Sequence, residues 1–72
     1  DNIDEYKIVE PERLLDILSK NGMVESNGEA KRLIKQGALK IDDIKVDDIN
    51  LTLKVEEQVI KCGKRKFLKI VK

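Results

Sequence analysis

Aromatic side chains are nearly missing from this chain of 72 residues: Tyr6 and Phe67 stand alone, and there is no tryptophan. A core must therefore be built from Leu, Ile, Val and Ala. Histidine is absent and Cys62 is the single cysteine, which excludes an internal disulfide and argues against a zinc site. No run of about 18 apolar residues exists, so no stretch has the length of a membrane-spanning helix. No signal-like apolar block follows a basic start. These absences point to a cytoplasmic protein with no metal and no membrane partner. The chain opens on Asp1 rather than Met, as expected of a piece taken from something longer.

Hydrophobic residues make up 40% of the chain and charged residues another 40%, the balance of a small core under a heavily charged surface. The length suits one domain near the lower limit of what folds without staples. A core of this size supplies only about 3–5 kcal/mol of net stability. The net charge of +1 conceals a segregation. Residues 1–30 carry eight acids against three bases, and residues 31–72 carry twelve bases against six acids. The last twelve residues hold Lys61, Lys64, Arg65, Lys66, Lys69 and Lys72 without an acid. Segregated charge suggests a polyanionic partner, whereas an even mixture suggests plain solvation. Lysines that merely keep a small domain soluble are the competing explanation.

Residues 1–10 show no periodicity and read as a linker or extended lead-in to a domain at 11–72. Pro11 suits a helix N-terminus, where its fixed φ and missing N–H cost nothing. Leu14, Leu15, Ile17 and Leu18 then form an apolar stripe, giving a first helix over about 11–20. Gly22 serves as its left-handed cap. Ser26 and Glu29 form a capping box: the hydroxyl accepts from the Glu29 N–H, and the carboxylate reaches back to the Ser26 N–H. The second helix puts Ala30, Leu33 and Ile34 on one face and Lys31, Arg32 and Lys35 on the other, and Gly37 ends it. Leu39-Lys40-Ile41 and Ile44-Lys45-Val46 alternate as a hairpin around Asp42-Asp43, although Asp43 tolerates positive φ less well than glycine. Asp47, Asp48 and Asn50 form a polar loop, and Leu51–Val55 reads as a short strand or turn. Gln58–Cys62 and Phe67–Val71 read as strands joined by Gly63-Lys64-Arg65-Lys66. The fold class is α+β: a helix–loop–helix on a small, mostly antiparallel sheet.

Nothing in this pattern looks catalytic, and no cofactor is called for. The acid pairs Asp42/Asp43 and Asp47/Asp48 lack calcium-loop spacing and fall where turns belong. No motif places a base beside Ser26, and capping accounts for it. Lys61 and Lys64 near Cys62 would depress a thiol pKa, but its place in the strand pattern favours a small core residue. Gly63-Lys64 lacks the upstream glycine of a phosphate-binding loop.

The basic groups are the stronger signal. Lys31, Arg32 and Lys35 share one helix face with no acid after Glu29, and Lys64, Arg65 and Lys66 crowd one turn. Such side chains contact phosphates and release counterions. With so few aromatics, a platform for stacking splayed bases is not expected. The mode inferred is recognition of the backbone and shape of a structured RNA.

The run Ser26-Asn27-Gly28-Glu29-Ala30-Lys31-Arg32-Leu33-Ile34-Lys35-Gln36-Gly37-Ala38-Leu39-Lys40-Ile41 resembles the S-four RNA-binding domain. That family has a Ser-started helix with Glu-Ala, a basic pair, Leu-Ile, and a Gly before a strand. The resemblance extends over roughly 11–72. It is most similar to the C-terminal domain of bacterial-type tyrosyl-tRNA synthetases, in the spacing from Gly22 to Ser26 and in the ending Gly63-Lys64-Arg65-Lys66-Phe67. The resemblance implies a domain that grips tRNA near its anticodon stem and long variable arm. A separate N-terminal domain of the ligase would activate tyrosine, and the full-length parent would be a homodimer. It also implies that Lys31, Arg32, Lys35, Lys64, Arg65 and Lys66 face RNA. Asn27 stands where a basic residue is common, and Asp42-Asp43 replaces the usual Asn-Gly. The same module in a ribosomal protein, a ribosome-associated factor or an RNA-modifying enzyme is an alternative host. A protein-interaction module using the acidic N-terminal third is an alternative of another kind.

Overall fold

Apolar residues on alternate strand positions meet the apolar stripes of two short helices, and that match fixes the architecture. The computed structural model describes residues 4–63 and 66–72. Its elements run β1 (Asp4–Lys7), β2 (Glu12–Arg13), α1 (Leu14–Lys20), α2 (Asn27–Lys35), β3 (Leu39–Ile41), β4 (Ile44–Lys45), β5 (Thr52–Leu53), β6 (Gln58–Cys62) and β7 (Lys66–Val71). Five strands form one sheet in the order β1-β7-β6-β3-β4, and β2 pairs with β5 in a separate ribbon. All pairings are antiparallel except β1 with β7. The α+β class expected from the sequence is the class observed.

Register puts Leu39 opposite Cys62 and Ile60 opposite Leu68, so these side chains share one face of the sheet. Ile70 lies on that face too, and Ile8 is buried just beyond β1. Leu14, Leu15, Ile17 and Leu18 of α1 and Ala30 and Ile34 of α2 close over them. Each fully buried Leu or Ile contributes about 1.5–3 kcal/mol, so a handful of such residues can hold a chain this short. Burial pushes the Cys62 thiol pKa up; Lys66 opposes the shift and Glu29 adds to it. Cys62 is thus a core residue, as its place in the strand pattern favours.

Both helices end in the same way. Gly22 and Gly37 take positive φ, and the N–H groups beyond each helix turn back, Met23 to Leu18 O and Ala38 to Leu33 O, each at 2.9 Å. These are Schellman ends. The α2 start is also as expected in part: the Ser26 hydroxyl accepts from the Glu29 N–H at 3.3 Å. The Glu29 carboxylate, however, accepts from the Glu25 N–H at 3.1 Å, not from Ser26. Extended backbone at Ser26 brings the preceding residue's amide within reach.

Helix α1 begins at Leu14, not Pro11. Glu12 and Arg13 pair with Leu53 and Thr52, and the Leu14 N–H donates to Leu51 O at 2.9 Å. Partners some forty residues away in sequence therefore take the backbone groups that a first helical turn would have used; Arg13 at the cap is extended and offers no side-chain bond. Within the lead-in, Asp4–Lys7 lie parallel to Leu68–Val71 as an edge strand. The Asp42-Asp43 turn forms as expected, with φ of 50° and 68°, the pattern of a type I′ hairpin. Asp42 has a further use that glycine or alanine lacks, since its carboxylate accepts the Val59 N–H at 2.9 Å. Asp48 accepts the Asn50 N–H at 2.9 Å. Asp48 thus shapes its own turn, and Asp42 ties the hairpin to β6.

Candidate nucleic-acid interface

Helix α2 supplies the first part of the surface. At about 100° per residue, Lys31 and Lys35 stack one turn apart and Arg32 lies beside them, while Ala30 and Ile34 point into the core. Lys31, Arg32 and Lys35 are all exposed. None of them makes an ion pair among the described residues. Three cations on adjoining helix positions raise the local potential, and none is paired with an acid among the described residues. The Glu29 carboxylate, one turn before, is turned toward the Glu25 N–H.

The C-terminal turn is described only in part. Lys64 and Arg65 lie outside the described residues. Lys66 opens β7 and its ammonium reaches Met23 O in the α1–α2 loop at 3.4 Å. Arg32 and Lys66 line one open groove of about 530 Å³, together with Met23, Glu29 and Cys62. The structure therefore brings Arg32 and Lys66 to one place. Lys35 lines a different groove, at the C-terminal end of α2, with Lys45 and Asp47. Lys31 lies on the helix face without lining either.

Lys45 was not among the side chains singled out from sequence, yet its stem lies over Gly37. A Cβ at Gly37 would meet Lys45 Cε at 2.9 Å, so the glycine both ends α2 and seats the lysine beside it. Strand register then places Lys40 opposite Lys45 on one side and Lys61 on the other. The alternation Lys40/Ile41 and Ile44/Lys45 carries a trace of this: in a two-residue hairpin those lysines must face one another.

The first third of the chain uses its charge differently. The Tyr6 hydroxyl donates to Glu12 at 2.6 Å, and the Lys20 ammonium donates to Glu12 at 2.8 Å and lies 3.4 Å from the Tyr6 oxygen. Lys20 and Tyr6 hold the Glu12 carboxyl below its usual range. The hydrogen bond to Glu12 raises the Tyr6 phenol and, likewise, the Lys20 ammonium. This cluster ties β1, β2 and α1 together. Among the described residues, no group of three His, Cys, Asp or Glu side chains is placed to hold a metal ion.

Comparison with known proteins fits this geometry. Residues 12–59 match the S4 domain family. A tyrosine–tRNA ligase of Nitratidesulfovibrio vulgaris is 55% identical over 49 residues, which is 68% of this chain and 12% of that protein. The tyrosine–tRNA ligase of Carboxydothermus hydrogenoformans is 43% identical over an 81-residue alignment, covering 99% of this chain and 19% of that protein. That of Thermotoga maritima is 39% identical over 71 residues, covering 93% and 18%. The chain thus spans less than a fifth of the length of these relatives. The matched stretch contains the helix–loop–helix, the Asp42-Asp43 hairpin and the basic face of α2, and on that footing the chain belongs to the S4 RNA-binding domain family.

Proposed function

We propose that this domain grips tRNA in the cytoplasm as the C-terminal, RNA-binding part of a tyrosine–tRNA ligase. In this reading the catalytic site belongs to another part of a homodimeric parent, and the present chain supplies grip alone. Helix α2 lies along the phosphate backbone near the anticodon stem and the long variable arm. Lys31, Arg32 and Lys35 contact phosphates, and the turn of Lys64, Arg65 and Lys66 extends the contact. The observation that carries the reading is the exposed row of bases on α2, without acid partners among the described residues, inside the stretch shared with the S4 family. The names of the similar proteins supply the choice of tRNA. Phosphate contact gives affinity without reading bases, so selection of one tRNA must come from shape.

Titration of the domain with tRNA transcripts that carry or lack a long variable arm tests this. Tighter binding to the long-armed species is expected. Equal, weak binding to both removes the assignment to a tyrosine–tRNA ligase and leaves a general RNA-binding S4 domain.

A further inference from the structure

We propose that the RNA surface continues from α2 around the Gly37 end of the sheet onto the sheet's outer face. There Phe67 stacks one unpaired base, and Lys45, Lys40 and Lys61 hold the flanking phosphates. This deepens the RNA-binding reading and rests on it.

The outer face is the one turned away from the helices. Register sets a row across four strands on it: Lys45 opposite Lys40, Lys40 opposite Lys61, and Lys61 opposite Phe67. Like charges directly opposed on neighbouring strands destabilise a sheet. This sheet carries two such oppositions in succession. No acid forms an ion pair with any of the three lysines among the described residues. A polyanion laid across the row removes that repulsion, and water alone does so only by screening.

The row is continuous with α2. The stem of Lys45 packs over Gly37, and Lys45 shares a groove with Lys35. A backbone following Lys31 and Lys35 therefore meets Lys45 next and then Lys40. At the far end of the row Phe67 is 38% exposed, with the Lys61 ammonium 5.6 Å from the ring centroid. That places a cation–π pair on an open surface beside Val59, which is itself partly exposed. Every base has a π-face, so such a ring accepts a base with little regard to its identity. Tyr6, the other aromatic, is engaged by Glu12.

The acids on this face set its limit. One register step further along, Asp42 lies beside Val59 and Glu5 is opposite Lys69. Phosphate is repelled from that second row and confined to the first. A base on Phe67 then lies between the lysine row, which takes its phosphates, and the Asp42-Asp43 turn that lines the same shallow concavity.

The test is binding of a long-armed tRNA transcript to the parent chain and to Phe67→Leu, Phe67→Trp and the Lys40→Gln/Lys61→Gln pair. Phe67→Leu should weaken binding about tenfold with the salt dependence unchanged. The lysine pair should reduce the log–log salt slope by roughly 1.5. Phe67→Trp should keep binding, and its fluorescence should be quenched by the transcript and by hexauridylate. Thermal unfolding of each variant checks that it folds. If Phe67→Leu binds within twofold of the parent and the tryptophan is not quenched, the proposal is overturned. Loss of binding on charge reversal at Lys31, Arg32 and Lys35 would still uphold the α2 reading in that case. A parent chain that binds neither RNA overturns both.

Discussion

Lys20 and Lys31 are lysines of neighbouring helices in opposite circumstances. Lys20 closes a cluster with Glu12 and Tyr6, and its charge helps hold β1 and β2 against α1. Lys31 projects from α2 among Arg32 and Lys35 and pairs with no acid among the described residues. Charge that meets an opposite charge inside the domain shapes the fold. Charge left without one raises a potential that attracts an outside partner of opposite sign. A net charge of +1 hides this difference completely, because it sums two surfaces that serve different ends.

Exchanging the roles of the two regions is the sharpest way to break the comparison. Reversing Lys31, Arg32 and Lys35 to Glu should lower RNA affinity by about 100-fold or more and leave the thermal midpoint nearly unchanged. Lys20→Glu should do the opposite: the midpoint falls, and RNA binding stays within a few-fold. Equal effects of both on binding would erase the distinction. Filter binding and a thermal melt on the same samples decide it.

Smaller effects come from the scaffold that presents α2. Gly37→Ala puts a Cβ on a backbone at φ 73° and against Lys45, which should cost about 1–2 kcal/mol in urea unfolding. RNA binding should weaken with it as Lys45 is displaced. Ser26→Ala removes the bond to the Glu29 N–H and should cost about 1 kcal/mol, while Ser26→Asp should restore most of that loss.

The smallest effect is in the Glu12 cluster and appears as pH dependence. The folded pKa of Glu12 is lowered, so folding favours its carboxylate. That contribution is present above the ordinary Glu value of about 4.3 and is lost as pH falls through the lowered folded value. Tyr6 and Lys20 are raised. Their contributions are present below about 10 and are lost as pH climbs through the raised values. Glu12→Gln should flatten both limbs of a plot of thermal midpoint against pH, and an unchanged profile would show that the cluster adds nothing to stability.

Local signals proved legible and distant pairings did not. Ser26, Gly22 and Gly37 announced their helix ends because capping is chemistry between near neighbours. The Asp42-Asp43 hairpin was readable from alternation around two polar residues. By contrast, Glu12 and Arg13 look helical by position after Pro11. Only their pairing with Thr52 and Leu53 makes them strand, and two-residue strands carry no period. Asp4–Lys7 was opaque for the same reason, since its partner is the last strand of the chain. The bases of α2 could be placed on one face from helical spacing. The row Lys45, Lys40, Lys61 and Phe67 could not, because it depends on the register of four strands. Lys64 and Arg65, named from the sequence, lie outside the described residues.

The central claim is that bases left unpaired by the fold bind an RNA backbone, and its most direct measurement is the salt dependence of tRNA binding. For four to six phosphate contacts, log K should fall against log salt with a slope of roughly −3 to −5. Replacing Lys31, Arg32 and Lys35 with Gln should make that slope shallower by about 2 to 3 units. A slope near zero in the parent chain, or one unaltered by the triple change, would contradict the account.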